Sequence, residues 1–208
     1  MAHFSKVSHS HTNIVTLTKI MNTLAIIGSL CIGLGLSASC GFRVFVPLLM
    51  ANVAALVGII PLAENMAWLG SWTAFACLAT ATVVEIVAYY IPWIDNLLDT
   101  ITTPSAMIAG TMLTASVLTG VDPAWQWGLG IIVGGGSAGI TQLGTSSLRL
   151  GSSLTTGGVA NPLLATVEHV VALLGSILAI FLPMITAIIV LVFFGILGLF
   201  FWKKRQKA

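Results

Sequence analysis

The chain has 208 residues, 57% of them hydrophobic and only 7% charged, with a net charge of +2 and a mean hydropathy of +1.05. A soluble domain carries about 25% charged residues, and a surface with so few cannot be wetted, so most of it must face lipid. The apolar runs are continuous rather than alternating, which excludes a soluble domain and a transmembrane barrel and leaves an all-α, polytopic transmembrane helix bundle.

Residues 1–20 are polar, with His3, His9 and His11 among serines and threonines. No acidic or cysteine partner accompanies these histidines, so they are read as part of a disordered extension, with Met21 as a plausible true start. The first apolar segment covers 20–38. The "SASC" that follows has the small residues of a signal-peptide cleavage site, but a second apolar segment resumes almost at once, which favours a retained helix. Further segments cover 44–60, 72–91, 104–119, 124–141, 162–181 and 184–202, joined by connections at 61–71, 92–103 and "GVDP" at 120–123. Residues 21–202 are thus expected to form one membrane domain, with 203–208 as a basic tail.

Lys203, Lys204, Arg205 and Lys207 place that tail on the cytoplasmic side by the positive-inside rule. They are too few, and too far from any folded module, to suggest nucleic-acid binding. Lys6 and Lys19 favour a cytoplasmic N-terminus as well. Seven full crossings would separate the two ends, so six or seven segments both remain open: either the N-terminus lies outside, or one segment is broken or re-entrant.

Two interruptions resemble each other: "CGFRVFVPLLMANVAALVG" at 40–58 and "TGGVANPLLATVEHVVALLG" at 156–175. Each has glycine, then Pro-Leu-Leu, then an apolar helix, and each follows a glycine-bearing segment. Paired breaks of this kind point to two internal repeats with glycine/proline-broken helices. In "GSSLTTGGVANP" (151–162), Gly157 and Gly158 permit dihedrals that other residues avoid. Asn161 and Pro162 suit a helix start, whose free N–H groups attract anions. The "GGG" at 134–136 has no following Lys-Ser/Thr and reads as helix packing.

Charges inside a span are costly, so each calls for a partner or a role. Arg43 sits at the first break, Glu85 inside segment 72–91, and Glu168 in the helix after Pro162. These three, with Gly157, Gly158 and Asn161, are the candidate solute-binding residues. Arg149 is secondary, as are Asp95 and Asp99 in "IPWIDNLLDT", where an amphipathic surface helix anchored by Trp93 explains the same pattern. Cys31, Cys40 and Cys77 lack metal-ligand or redox spacing. Glu168 and His169 point about 100° apart on a helix, and neither GxSxG nor a His-x-x-x-His pair is present, so no catalytic residue, metal or cofactor is expected.

"GLSASCGFRVFVPLL" (35–49), "EIVAYYIPWIDNLLDTITTP" (85–104) and "TTGGVANPLLATVEHV" (155–170) resemble an uncharacterised bacterial membrane family, domain-of-unknown-function family 4126. The resemblance implies a compact multi-helix protein of the bacterial inner membrane and brings no activity with it. The leading expectation is a small transporter or channel-like permease for a polar or anionic solute. The alternative is a non-transporting structural or lipid-interacting accessory protein. A permease requires a polar cavity reaching the charges from one side; an accessory would have them paired and sealed.

Overall fold

Where water is absent, backbone polar groups must be satisfied within the segment that carries them, and the chain meets this demand with helices. The computed structural model describes residues 2–205, apart from the side chains of 2–15, 92–100, 200, 201, 204 and 205. Within them lie α1 (Ala2–Cys40), α2 (Phe45–Leu56), a 3-10 helix (Glu64–Gly70), α3 (Trp72–Ala88), α4 (Pro92–Val117), α5 (Pro123–Leu129), a π-helical stretch (Gly130–Gly135), α6 (Gly136–Thr156), α7 (Asn161–Phe181) and α8 (Pro183–Arg205). The described residues contain no strand.

The C-terminal part of α1 is the central post, because small residues on each of its faces let a different helix approach. A Cβ on Gly35 would lie 2.6 Å from the Ala179 side chain of α7, and one on Gly41 would lie 2.5 Å from the Ala138 carbonyl of α6. Ser37 donates to the Gly110 carbonyl of α4 at 2.7 Å and shares a 2.9 Å hydrogen bond with Thr114. Such close backbone approach is how helices associate in lipid, where burial of apolar surface supplies little drive. Leu36, Cys40, Leu113, Ala138 and Ala179 form the core around this post.

Several expected boundaries move. Residues 92–103, expected as a connection, are the first three turns of α4, which continues through Pro104. One missing N–H is tolerated in a membrane helix when neighbours compensate. Asp95 and Asp99 fall in these turns, and their side chains lie outside the described residues. The segment expected at 124–141 begins at Pro123, capped by Asp122, which accepts from the Ala124 N–H at 2.9 Å. It widens at Gly130–Gly135, where Gly134 abuts Gly110 of α4, and runs on to Thr156. Within "GSSLTTGGVANP", only Gly157 to Ala160 leave the helix; Gly157 and Gly158 turn the chain with φ of 64° and 87°. The connection at 61–71 holds the 3-10 helix, and Asn52 of α2 donates to the Leu69 and Ser71 carbonyls at the bend into α3.

By length and apolar character, Thr16–Cys40 and Asn161–Phe181 can each cross a membrane, and the 3-10/α3 pair, bent by 59°, makes a third if it counts as one span. Phe45–Leu56 and Pro183–Leu199 are shorter apolar helices. That is fewer than the six or seven segments expected from the sequence. At about 1.5 Å per residue α2 is some 18 Å long, short of the ~30 Å hydrocarbon core. α6 is rich in serine, threonine and glycine, which lowers its apolar character, and several of its hydroxyls bond carbonyls of their own helix.

Candidate functional site

The break between α1 and α2 delivers Arg43 to the interior, where it is 1% exposed. Its Nη2 donates to Glu168 Oε2 at 2.7 Å and to the Ala165 carbonyl at 3.3 Å, both on α7. Arg149 arrives from the last turns of α6, 3% exposed, and donates through Nε to Glu168 Oε1 at 3.1 Å and through Nη2 to Oε2. One carboxylate is therefore shared by two guanidinium groups, with Arg149 engaging it in the bidentate manner that makes such pairs strong.

Tyr89, at the end of α3, closes this cluster. The guanidinium carbons of Arg43 and Arg149 lie 3.5 and 4.3 Å from its ring centroid, within cation–π range. His169 sets its edge against Tyr89 at 6.4 Å and stacks on Tyr90 at 6.5 Å, while its Nδ1 lies 2.6 Å from the Ala165 carbonyl. With that carbonyl as partner, Nδ1 carries the proton. The Tyr90 hydroxyl is 2.8 Å from Thr166 Oγ1. Nε and Nη1 of Arg43 and Nε2 of His169 are buried with no hydrogen-bond partner among the described residues.

Glu85 acts separately. Its two oxygens accept from the Val44 N–H at 2.9 Å and the Phe45 N–H at 3.1 Å. These are orphan donors at the start of α2, so the anion at that helix start is supplied by the protein itself.

Four sequence-predicted residues, Arg43, Glu85, Arg149 and Glu168, thus converge on one end of the bundle. Gly157 and Gly158 lie in the α6–α7 turn and Asn161 opens α7, about two helical turns and ~10 Å from Glu168; Arg43 bonds at Ala165 and Glu168, further along α7. Asn161 Nδ2 donates to Ser153 Oγ at 3.1 Å, tying the turn to α6. Sequence reasoning missed Tyr89 and gave His169 no part. The available signal was spacing, since Tyr89 lies four residues after Glu85 on the same helix face and His169 follows Glu168 directly.

Beside the cluster a cleft of about 720 Å³ separates α3 from α4, bounded at the start of α2 by Val44 and Phe45 and lined in part by Glu85, Tyr89 and Thr102. Its walls are predominantly apolar. A second cavity, about 610 Å³, lies near Asn65 and Gln126, whose amides bond each other at 3.2 Å.

Apolar helices long enough to cross a bilayer, around a buried ionic cluster, define a helical membrane protein. Residues 30–204 match the family model described as "Domain of unknown function (DUF4126)", and the chain belongs to that family. No curated protein and no solved structure matches it.

Proposed function

We propose that the protein is a non-transporting, lipid-interacting accessory of the membrane, whose internal ions hold its helices together. The observation that carries this reading is the mutual pairing of Arg43, Glu168 and Arg149 in the interior beneath Tyr89, next to a cleft whose walls are mainly apolar. A desolvated ion set of this kind is strongly coupled, because removing one member strands the others. A permease for a polar or anionic solute is the second reading, favoured by the two Arg43 nitrogens, Nε and Nη1, that have no acceptor among the described residues.

The reading places the protein in a bacterial inner membrane with the basic tail on the cytoplasmic side, on the strength of the positive-inside rule. It also retains six or seven segments in two glycine/proline-broken halves. Support comes from the two breaks, each followed by a helix with Pro-Leu-Leu in its first turns, α2 with Pro47 and α7 with Pro162.

The test is aqueous access to the cluster in oriented vesicles. Single cysteines replace Ala165 and Ser39, both buried beside it, in a variant lacking the three native cysteines. The expected result is no labelling by a membrane-impermeant thiol reagent from either side of folded protein. Labelling from one side that an added solute blocks would overturn the accessory reading in favour of the permease.

A further inference from the structure

We propose that the α3–α4 cleft is a binding site for one anionic phospholipid of the bilayer, its acyl chain lying along α3 and its phosphate taken by Arg43. This rests on the lipid-interacting reading and gives it a ligand class and a position.

The cleft walls ask for an apolar occupant. Thr80 donates to the Ala76 carbonyl at 2.8 Å and Ser105 to the Ile101 carbonyl at 2.9 Å, and Thr102 accepts from Gln142 at 3.0 Å. Glu85, the acidic group in the lining, accepts from the two N–H groups at the start of α2. These polar groups already have partners within the protein, so what they present to the cleft is mainly carbon. Its volume falls within the roughly 300–1,000 Å³ of ligand sites. From Ala76 to Tyr89 the α3 wall runs about 20 Å at 1.5 Å per residue, which is more than one leaflet of a ~30 Å hydrocarbon core. An acyl chain fits that length.

The head of the cleft asks for an anion. Arg43 follows the end of α1, Glu85 lies near the end of α3, and Arg149 and Glu168 each lie within about 10 Å of the α6–α7 turn, so the cluster sits at the headgroup end of the bundle. The Arg43 and Arg149 guanidinium groups share the Glu168 carboxylate there, while that of Glu85 is engaged at α2. Arg43, 1% exposed, keeps Nε and Nη1 without an acceptor among the described residues. A buried donor left unmade is costly, and phosphate is the anion whose geometry matches a guanidinium edge. Tyr89 is the partition: its ring stacks against the Arg43 guanidinium and also lines the cleft. A rotation of that ring joins the apolar channel to the unpartnered N–H groups.

Native Cys77 lines the cleft and provides the probe site. The full chain carrying Cys31→Ser and Cys40→Ser is labelled at Cys77 with bimane in detergent and titrated with acyl-brominated phosphatidylglycerol or phosphatidylcholine. Expected is quenching that saturates at one phosphatidylglycerol per chain, with phosphatidylcholine, whose quaternary ammonium offsets the same phosphate, weaker by roughly fivefold, the ~1 kcal/mol that a basic residue gains on a net-anionic lipid. Ala81→Phe, or Ala76→Leu if that variant does not fold, fills the cleft and abolishes the saturable phase. Arg43→Lys keeps the charge, loses the fork and erases the headgroup preference.

Quenching that rises linearly, and equally for bimane at an outward cysteine replacing Val83, would reduce the signal to annular lipid and overturn the site. Saturation that is blind to the headgroup and unchanged by Arg43→Lys would overturn the role of Arg43. Neither result touches the sealed-cluster reading, which is decided separately by aqueous labelling at Ala165 and Ser39.

Discussion

Glu168→Gln is the substitution that most directly tests how this bundle is held together. The carboxylate accepts from Arg43 Nη2, Arg149 Nε and Arg149 Nη2. The amide keeps a carbonyl acceptor but loses the charge that faces two interior guanidinium groups, both of which lie against the Tyr89 ring. Breaking a buried ion pair from one side costs about 3–5 kcal/mol. At about 2–4 °C per kcal/mol for a domain of this size, the midpoint of thermal unfolding in detergent should fall by on the order of 10 °C. Replacing all three ions with apolar residues (Arg43→Met, Arg149→Met and Glu168→Leu together) should recover most of that loss, since a buried ion set exchanged whole for apolar residues is often neutral. The reasoning fails if Glu168→Gln unfolds within about 3 °C of the parent, or if the triple variant is as damaged as the single one. A stable Glu168→Gln protein that loses a solute-dependent phenotype would point instead to the permease.

Glu85→Ala removes the acceptor for two N–H groups at the start of α2 and should cost about 1–2 kcal/mol in the same unfolding assay, with Glu85→Gln recovering part of it. Gly110→Ala would put a Cβ 2.6 Å from the Gly134 carbonyl and should cost about 1–3 kcal/mol by overpacking. Gly136→Ala, with nothing within 4 Å of the added carbon, should leave the midpoint unchanged. Tyr89→Leu should destabilise by about 1–2 kcal/mol through loss of the ring beneath two cations, whereas Tyr89→Phe, which keeps the ring, should retain most of that stability.

The residues that matter most were legible because the chain has so few charges. In an apolar sequence each internal Arg or Glu stands out, and Arg43, Glu85, Arg149 and Glu168 do meet at one end of the bundle. Their pairing was not legible. Nothing in the spacing says that Glu168 serves two arginines while Glu85 caps a helix, because that depends on how α2, α3, α6 and α7 are rotated about their axes. The breaks at 41–44 and 157–160 were readable from glycine and proline in combination. Pro104 misled for the opposite reason, because neighbouring helices absorb the lost hydrogen bond, whereas Gly134 and Gly135 pack against α4 in line with the reading of "GGG" as helix packing. Tyr89 passed unnoticed because an aromatic residue near the end of an apolar helix ordinarily reads as an interfacial anchor.

The pairing of Arg43 with Glu168 spans 125 residues of sequence. At about 5–20 residues per second of synthesis, Glu168 leaves the ribosome some 6–25 s after Arg43. During that interval the arginine is without its carboxylate, and for most of it without Arg149's helix, and lipid is no place to wait uncompensated. The α1–α2 break then acts as a holding position: an unwound link at the end of a crossing helix lets a long side chain stay at headgroup level. Final seating of the first two helices is thereby deferred until α7 has been made. Damage to the last third of the chain should accordingly strand the first third, and an N-terminal fragment ending before α6 should remain unassembled in the membrane rather than form a smaller version of the bundle.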